Sequence, residues 1–200
     1  MPRLLLATNN AGKVAEFRRL LDGCGWEIVA PAEVGLKLAV EETGQTYAEN
    51  ARMKAAAYAK AGGLVTLADD SGLEVDALGG RPGILSARYA GANRTDRERL
   101  EKLLEELAEV PDKDRTARFR CVIAIVDEKE QFELVEGTVE GYIAREPRGD
   151  SGFGYDPVFV LAERGLTAAE LPDIEKDALS HRGVATRKAL PILERWRRDR

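Results

Sequence analysis

A chain of 200 residues, 44% hydrophobic and 32% charged, can bury one well-packed core or two lobes sharing one, and it carries no low-complexity tract. Its longest apolar runs are of strand length, which excludes a membrane-spanning segment. The formal net charge of −5, with the only dense basic run in the last six residues, argues against a nucleic-acid duplex as the main partner.

The apolar stretch after Pro2 is too short for a signal peptide and is interrupted by Asn9, Asn10 and Lys13, so a cytoplasmic location is expected. Residues 3–7 read as a buried first strand, followed by a polar loop over 8–12. Val14, Phe17, Leu20 and Leu21 then keep helical spacing, which predicts a helix over 13–22 closed by Gly23 and Gly25. A second strand over 27–30 completes a βαβ opening. Thr46 and Glu49 predict a capping box for an Ala-rich helix that ends at Gly62 and Gly63. Strands are expected over 64–68 and 73–78, with Asp69, Asp70, Ser71 and Gly72 between them.

Thr95 and Glu98 form a second box opening a helix through Leu107 that stops before Pro111. Alternation over 116–127 puts Phe119, Cys121, Ile123 and Ile125 on one strand face. A turn over 127–130 leads to strands at 131–139 and 141–145, and another strand is expected at 157–161. The last helix spans 182–198 with Pro191 inside it, and the cationic tail suits its C-terminal dipole. The result is an α/β chain with a long mixed sheet and no linker that splits it. Cys24 and Cys121 lack metal-ligand spacing, so two buried thiols are expected.

Six places carry candidate chemistry. Thr8, Asn9, Asn10, Ala11, Gly12 and Lys13 lie between a buried strand and a helix start, where free amides, the dipole and Lys13 favour an anion; the spacing is not that of a Walker loop. Glu41 and Glu42 form an acidic pair, alternatively a solvated surface. Asp69 and Asp70 repel each other at a strand end. Mg2+ repays that cost, being held by one or two carboxylates together with substrate phosphates, although an Asp-Ser-Gly turn is the plainer alternative. A rigid loop over 81–91 carries Arg81 and Arg88. Phe153, Gly154, Tyr155 and Asp156 present two rings beside glycine, for stacking on a base or for ordinary packing. Lys176 precedes Ser180, His181, Arg182 and Gly183. His181 is the sole histidine, so it suits hydrogen bonding or a structural role rather than a His-rich metal site.

These stretches occur in one order along the chain: Thr-Asn-Asn-Ala-Gly-Lys, Glu-Glu-Thr-Gly, Ala-Asp-Asp-Ser-Gly-Leu, Pro-Gly-Ile-Leu-Ser-Ala-Arg-Tyr-Ala-Gly, Gly-Phe-Gly-Tyr-Asp-Pro and Ser-His-Arg-Gly. In that order they resemble the inosine triphosphate pyrophosphatase family from residue 4 to about residue 193. The resemblance implies a single pyrophosphatase domain over residues 1–200, an elongated α/β fold with a long bent mixed sheet, two lobes with a cleft between them, and a homodimer. It implies hydrolysis of ITP, dITP and XTP to the monophosphate and pyrophosphate, cleansing the nucleotide pool. Carried over by position, Thr8, Asn9, Asn10, Ala11, Gly12 and Lys13 would hold the triphosphate. Glu41 and Asp70 would bind Mg2+, Glu42 being the alternative to Glu41, and Asp70 would act as general base; Asp69 is a further partner for the metal. Ser71 would contact substrate, while Phe153, Gly154, Tyr155, Asp156, Lys176, His181 and Arg182 would surround the nucleoside. His181 and Arg182 are expected to read the purine O6 edge, since Arg182 donates hydrogen bonds and never accepts them.

Two other readings stand beside this one. A related pyrophosphatase could act on pyrimidine or modified nucleotides, against which the Ser-His-Arg-Gly and Phe-Gly-Tyr-Asp stretches argue. A nucleotide-binding regulator without turnover would favour fewer acids near its ligand than Glu41, Asp69 and Asp70 supply.

Overall fold

The computed structural model describes residues 1–199. A mixed six-stranded sheet runs in the order β2-β1-β3-β4-β5-β6, flanked by helices. Strand β1 (Arg3–Leu6) pairs in parallel with β2 (Glu27–Val29) and with β3 (Val65–Val75), which confirms the βαβ opening. Strands β4 (Thr116–Val126) and β5 (Phe132–Ile143) follow, and β5 pairs antiparallel with β6 (Phe159–Leu161).

The chain divides into two compact units, the first comprising Met1–Asp70, Cys121–Gly137 and the chain from Arg182 onward, the second Ser71–Arg120 and Thr138–His181. Each has its own core. In the first, Leu4, Leu6, Val65, Leu67, Ile123 and Ile125 pack with Phe17, Leu21 and Leu193. In the second, Leu73, Val75, Leu103, Phe119, Ile143 and Phe159 pack together.

Among the described residues there are five α-helices. Helix α1 (Ala11–Leu20) begins two residues earlier than its apolar spacing indicates, because Asn10 caps it and Ala11 and Gly12 form its first turn. Helix α2 (Tyr47–Gly62) is capped by Thr46, which accepts from Glu49 N. The reciprocal half of the expected box is displaced, since Glu49 accepts instead from Gln45 N at 2.7 Å. In α3 (Asp96–Glu106) the Thr95–Glu98 box is complete. Helices α4 (Asp173–Leu179) and α5 (His181–Arg198) close the chain. Arg195, Arg197 and Arg198 occupy the last turn of α5, while Arg200 lies outside the described residues. Among the described residues no helix is long and apolar enough to cross a membrane. Both cysteines are free thiols; Cys121 is buried, whereas Cys24 is half-buried rather than fully enclosed.

Two expected breaks are absent. Residues 69–72 are extended backbone within β3, not a turn, and β5 continues without interruption through Glu140. The hairpin turn before β5 is as expected, with the Asp127 carboxylate accepting from Lys129 N and Gln131 N, each at 2.9 Å.

Candidate active site

In the first unit, the loop after β1 is fixed before any ligand arrives. Asn10 Oδ1 accepts from Lys13 N at 3.0 Å, and Asn10 N donates to Thr8 Oγ1 at 3.2 Å. Asn9 Nδ2 donates to Tyr58 Oη at 3.3 Å. The first turn of α1 contains no acidic side chain, so the positive end of its dipole is not neutralised from within the helix. Backbone amides at such a terminus are suited to phosphate oxygens.

Asp69 and Asp70 are consecutive on β3 and both buried, yet they have different neighbours. Lys13 Nζ lies 2.8 Å from Asp69 Oδ2, and Arg182 Nε and Nη2 each lie 3.3 Å from the same oxygen. Arg182 Nη1 also donates to Glu16 Oε2 at 2.8 Å, so a buried chain of alternating charge joins α1, β3 and the start of α5. Burial alone would push the Asp69 carboxyl up; the Lys13, Arg182 and Lys54 charges outweigh it and hold the group well below the usual carboxylate range.

Asp70 goes the other way. Burial pushes its carboxyl up to about 6, the Glu42 charge adds to that rise, and Lys54 and the hydrogen bond from Asn50 only partly offset it. Asn50 Nδ2 donates to Asp70 Oδ2 at 3.0 Å, while Asn50 Oδ1 accepts from Gly44 N at 2.8 Å, tying the acidic segment to the strand. A Cβ on Gly44 would come within 2.6 Å of that Asn50 oxygen, so the approach requires glycine. Lys54 Nζ sits 2.5 Å from Glu42 Oε1; burial opposes its charge, but Asp69, Glu42 and Asp70 hold it above the usual lysine range.

This donor set fits a magnesium ion. Hard oxygen donors at Asp70 and Glu42 stand close enough for the second to raise the carboxyl of the first, a repulsion that a divalent cation relieves. Among the described residues no group of three or more His, Cys, Asp or Glu side chains gathers as a ligand set, so the remaining positions would fall to water and substrate phosphates. Glu41 is exposed, and Glu42 is the half-buried member of the pair.

In the second unit, the glycine-rich loop is clamped by Asp156. Its Oδ2 accepts from Phe153 N at 2.9 Å and from Lys176 Nζ at 2.6 Å, and the Lys176 ammonium lies 5.2 Å from the centre of the Phe153 ring. Gly152, at φ +78°, passes so close that a Cβ would meet Asp156 Oδ2 at 2.2 Å. Gly154 N donates to Asp96 Oδ2 at 2.8 Å. Tyr155 is buried and donates to Ser86 O at 2.9 Å, and Ser86 Oγ accepts from Leu73 N, so the 81–91 loop supports the strand and the aromatic loop. A narrow pocket within this unit is lined by Phe119, Asp156, Phe159, Lys176, Ser180 and His181.

A family model for the Ham1 family matches residues 4–192. The chain belongs to the Ham1 family. Among relatives, it is 50% identical over 194 residues to a dITP/XTP pyrophosphatase of Bacillus subtilis (strain 168), covering 97% of this chain and 98% of that protein. A dITP/XTP pyrophosphatase of Shigella flexneri is 51% identical over 195 residues, covering 96% and 98%. Among solved structures, a HAM1 protein from Coxiella burnetii superposes with a TM-score of 0.87 at 46% identity, covering 98% of this chain and all of that one. The Staphylococcus aureus Ham1 protein gives 0.85 at 41% identity, covering 97% and 99%. The family resemblance drawn from the ordered motifs is thereby borne out.

Within this Ham1 fold, the first unit gathers Lys13, Asp69, Asp70 and Arg182, and the second gathers Phe153, Asp156, Lys176 and His181. Ser71 follows Asp70 on β3, half-buried. Three site residues escaped the motif reading: Asn50, Lys54 and Tyr58. They repeat every four residues along one face of α2, and their signal is a polar stripe on an otherwise alanine-rich helix.

Proposed function

We propose that this chain hydrolyses non-standard purine nucleoside triphosphates, namely ITP, dITP and XTP, to the monophosphate and pyrophosphate, in the cytoplasm, with Mg2+ and as a homodimer. The observation that carries the reading is the setting of Asp70, a buried carboxyl raised to about 6 beside a second carboxylate and a lysine. Perturbed acids of this kind mark sites where a proton is accepted near neutral pH. The relatives named dITP/XTP pyrophosphatase supply the substrate class.

In this reading Thr8, Asn9, Asn10, Ala11, Gly12 and Lys13 bind the phosphate chain through helix-start amides and the Lys13 ammonium. Asp70, with Glu41 or Glu42, would hold Mg2+; Glu42 is favoured by its reach to Asp70 and Lys54. Bound there, the ion would supply positive charge to phosphate oxygens and lower the pKa of water. Asp70 takes the proton of the attacking water as the α–β linkage breaks and pyrophosphate leaves. Lys13 offsets the negative charge that grows on the departing group. Ser71 contacts the substrate, and Phe153, Gly154, Tyr155, Asp156, Lys176, His181 and Arg182 serve the nucleoside. Phe153 offers a ring face, Asp156 and Lys176 fix that ring, and His181 hydrogen-bonds the base. Arg182 contributes to O6 recognition from a guanidinium anchored by Glu16 and Asp69.

Incubating ITP, XTP, GTP and ATP with the protein and Mg2+, and measuring pyrophosphate and orthophosphate separately, tests the reading. Monophosphate and pyrophosphate from ITP and XTP, abolished by a chelator, are expected. Orthophosphate released stepwise through a diphosphate would overturn the assignment of the α–β bond.

A further inference from the structure

We propose that Phe119, on β4, is a positioning residue that holds the His181 imidazole in the orientation needed to hydrogen-bond the base; this rests on the nucleoside role proposed for His181. The two rings stack nearly parallel, with centroids 4.6 Å apart and planes at 13°. Phe119 is itself braced by Phe159 on β6, at 4.5 Å and 51°. Both members of the stack are more than nine-tenths buried.

The second torsion of a histidine side chain is broad and has no sharp staggered minima, so its ring plane must be set by what lies against it. Both nitrogens of imidazole donate or accept in the ring plane, along its edge. A flat partner on one face therefore sets the plane in which those hydrogen bonds point without itself occupying an edge atom. Phe119 does this from a rigid strand inside the core of the second unit, and Ser180, Lys176 and Asp156 line the same pocket. Its expected role is in binding: the orientation it sets is present before chemistry begins, so its loss falls on KM more than on kcat.

His181 is the only histidine, so its ring C–H resonances can be observed without ambiguity. Lying face-on over a phenyl ring, they should sit upfield of their position in the unfolded chain. Phe119→Leu should return them toward that position and raise KM for ITP by about 3- to 10-fold, the range a lost aromatic stack implies, with kcat changed less than twofold. Phe119→Tyr should retain both the shift and the KM. Phe119→Met fills the space without a ring and replaces the leucine variant should that fail to fold. Resonances at the unfolded position in the folded native protein, or a ring-less variant with native KM, would overturn the proposal. His181→Ala separates it from the underlying reading. A raised KM in His181→Ala beside a native KM in Phe119→Leu defeats only the positioning role, whereas a native KM in His181→Ala defeats the nucleoside role as well.

Discussion

Asp69 and Asp70 differ in what happens when a carboxylate oxygen is replaced by an amide. The Asp70 carboxyl rises from 3.8 to about 6 in the fold, so the metal-free folded state holds a proton that the unfolded chain has lost. Stability accordingly falls as pH climbs from about 4 through about 6, and the penalty is fully present above that window. Asp70→Asn removes the penalty while deleting the base: the melting temperature of the metal-free protein should rise at pH 8, and kcat should drop ~100-fold or more. Mg2+ should stabilise the native protein more than the variant, as expected of an ion that binds only the fold. Native turnover in the variant would reduce Asp70 to a strand residue. Asp69 is held in its charged form by Lys13 and Arg182, so its contribution to stability is present above the unfolded value of 3.8 and is lost as pH falls below it. Asp69→Asn leaves those cations without their shared anion and should cost about 3 kcal/mol or more in urea unfolding; a loss below about 1 kcal/mol would show that Glu16 alone suffices for Arg182. The need for a compensating cation at this acidic pair was legible in the residues themselves. That two of the compensating charges are Lys13 and Arg182 was not, because partners 56 and 113 positions away leave no trace in local spacing.

At the level of elements, α2, α3, β4 and α5 were readable because each has either a cap or a sustained period, and β1 because Leu4, Leu5 and Leu6 form an unbroken apolar run; Thr95 with Glu98 marks the start of α3 to the residue. Asp, Ser and Gly at 69–72 read as a turn on local preference, yet tertiary partners overrode it: Asn50, Lys13 and Arg182 satisfy the carboxylates, leaving β3 free to continue to Val75. Helix α4 has seven residues, too few to establish a period, and it places Lys176. Gly141 was read as the start of a separate strand, but its role is close packing within β5. It pairs with Leu161 on β6, and a Cβ there would lie 2.2 Å from Val160 O and 2.7 Å from the Phe159 ring. Gly141→Ala must therefore push β6 away, at a cost of about 1–3 kcal/mol typical of an overfilled contact. The urea midpoint should fall, and amide exchange should accelerate at Ile143 and Phe159 relative to β1. An unchanged midpoint would show that β6 yields freely.

Over the whole molecule the formal charge is −5, and the field at long range opposes a polyanionic nucleotide. Close to Asp70 the balance is no more favourable: Lys13, Lys54 and Arg182 face Glu16, Glu42, Asp69 and Asp70, so the cations are already matched by carboxylates. A triphosphate entering this region without a metal would add charge of the sign already in excess. Nucleotide and Mg2+ should consequently assist each other's binding, reciprocally and by the same factor. Calorimetric titration of ITP in the presence of a chelator at pH 8, where Asp70 is ionised, isolates the repulsive part because no turnover intervenes. Native protein should bind weakly under those conditions. Asp70→Asn, with one negative charge fewer, should bind metal-free ITP at least about fivefold more tightly, a change of ~1 kcal/mol that one nearby charge in a partly screened setting readily supplies. The same variant is expected to be nearly inactive, so tighter binding and lost turnover would occur together, as they must if the carboxylate repels the ground state and is needed only once the metal is present. Metal-free affinity that is equal in the two proteins would place the triphosphate beyond the reach of Asp70 and remove that residue from the phosphate end of the site.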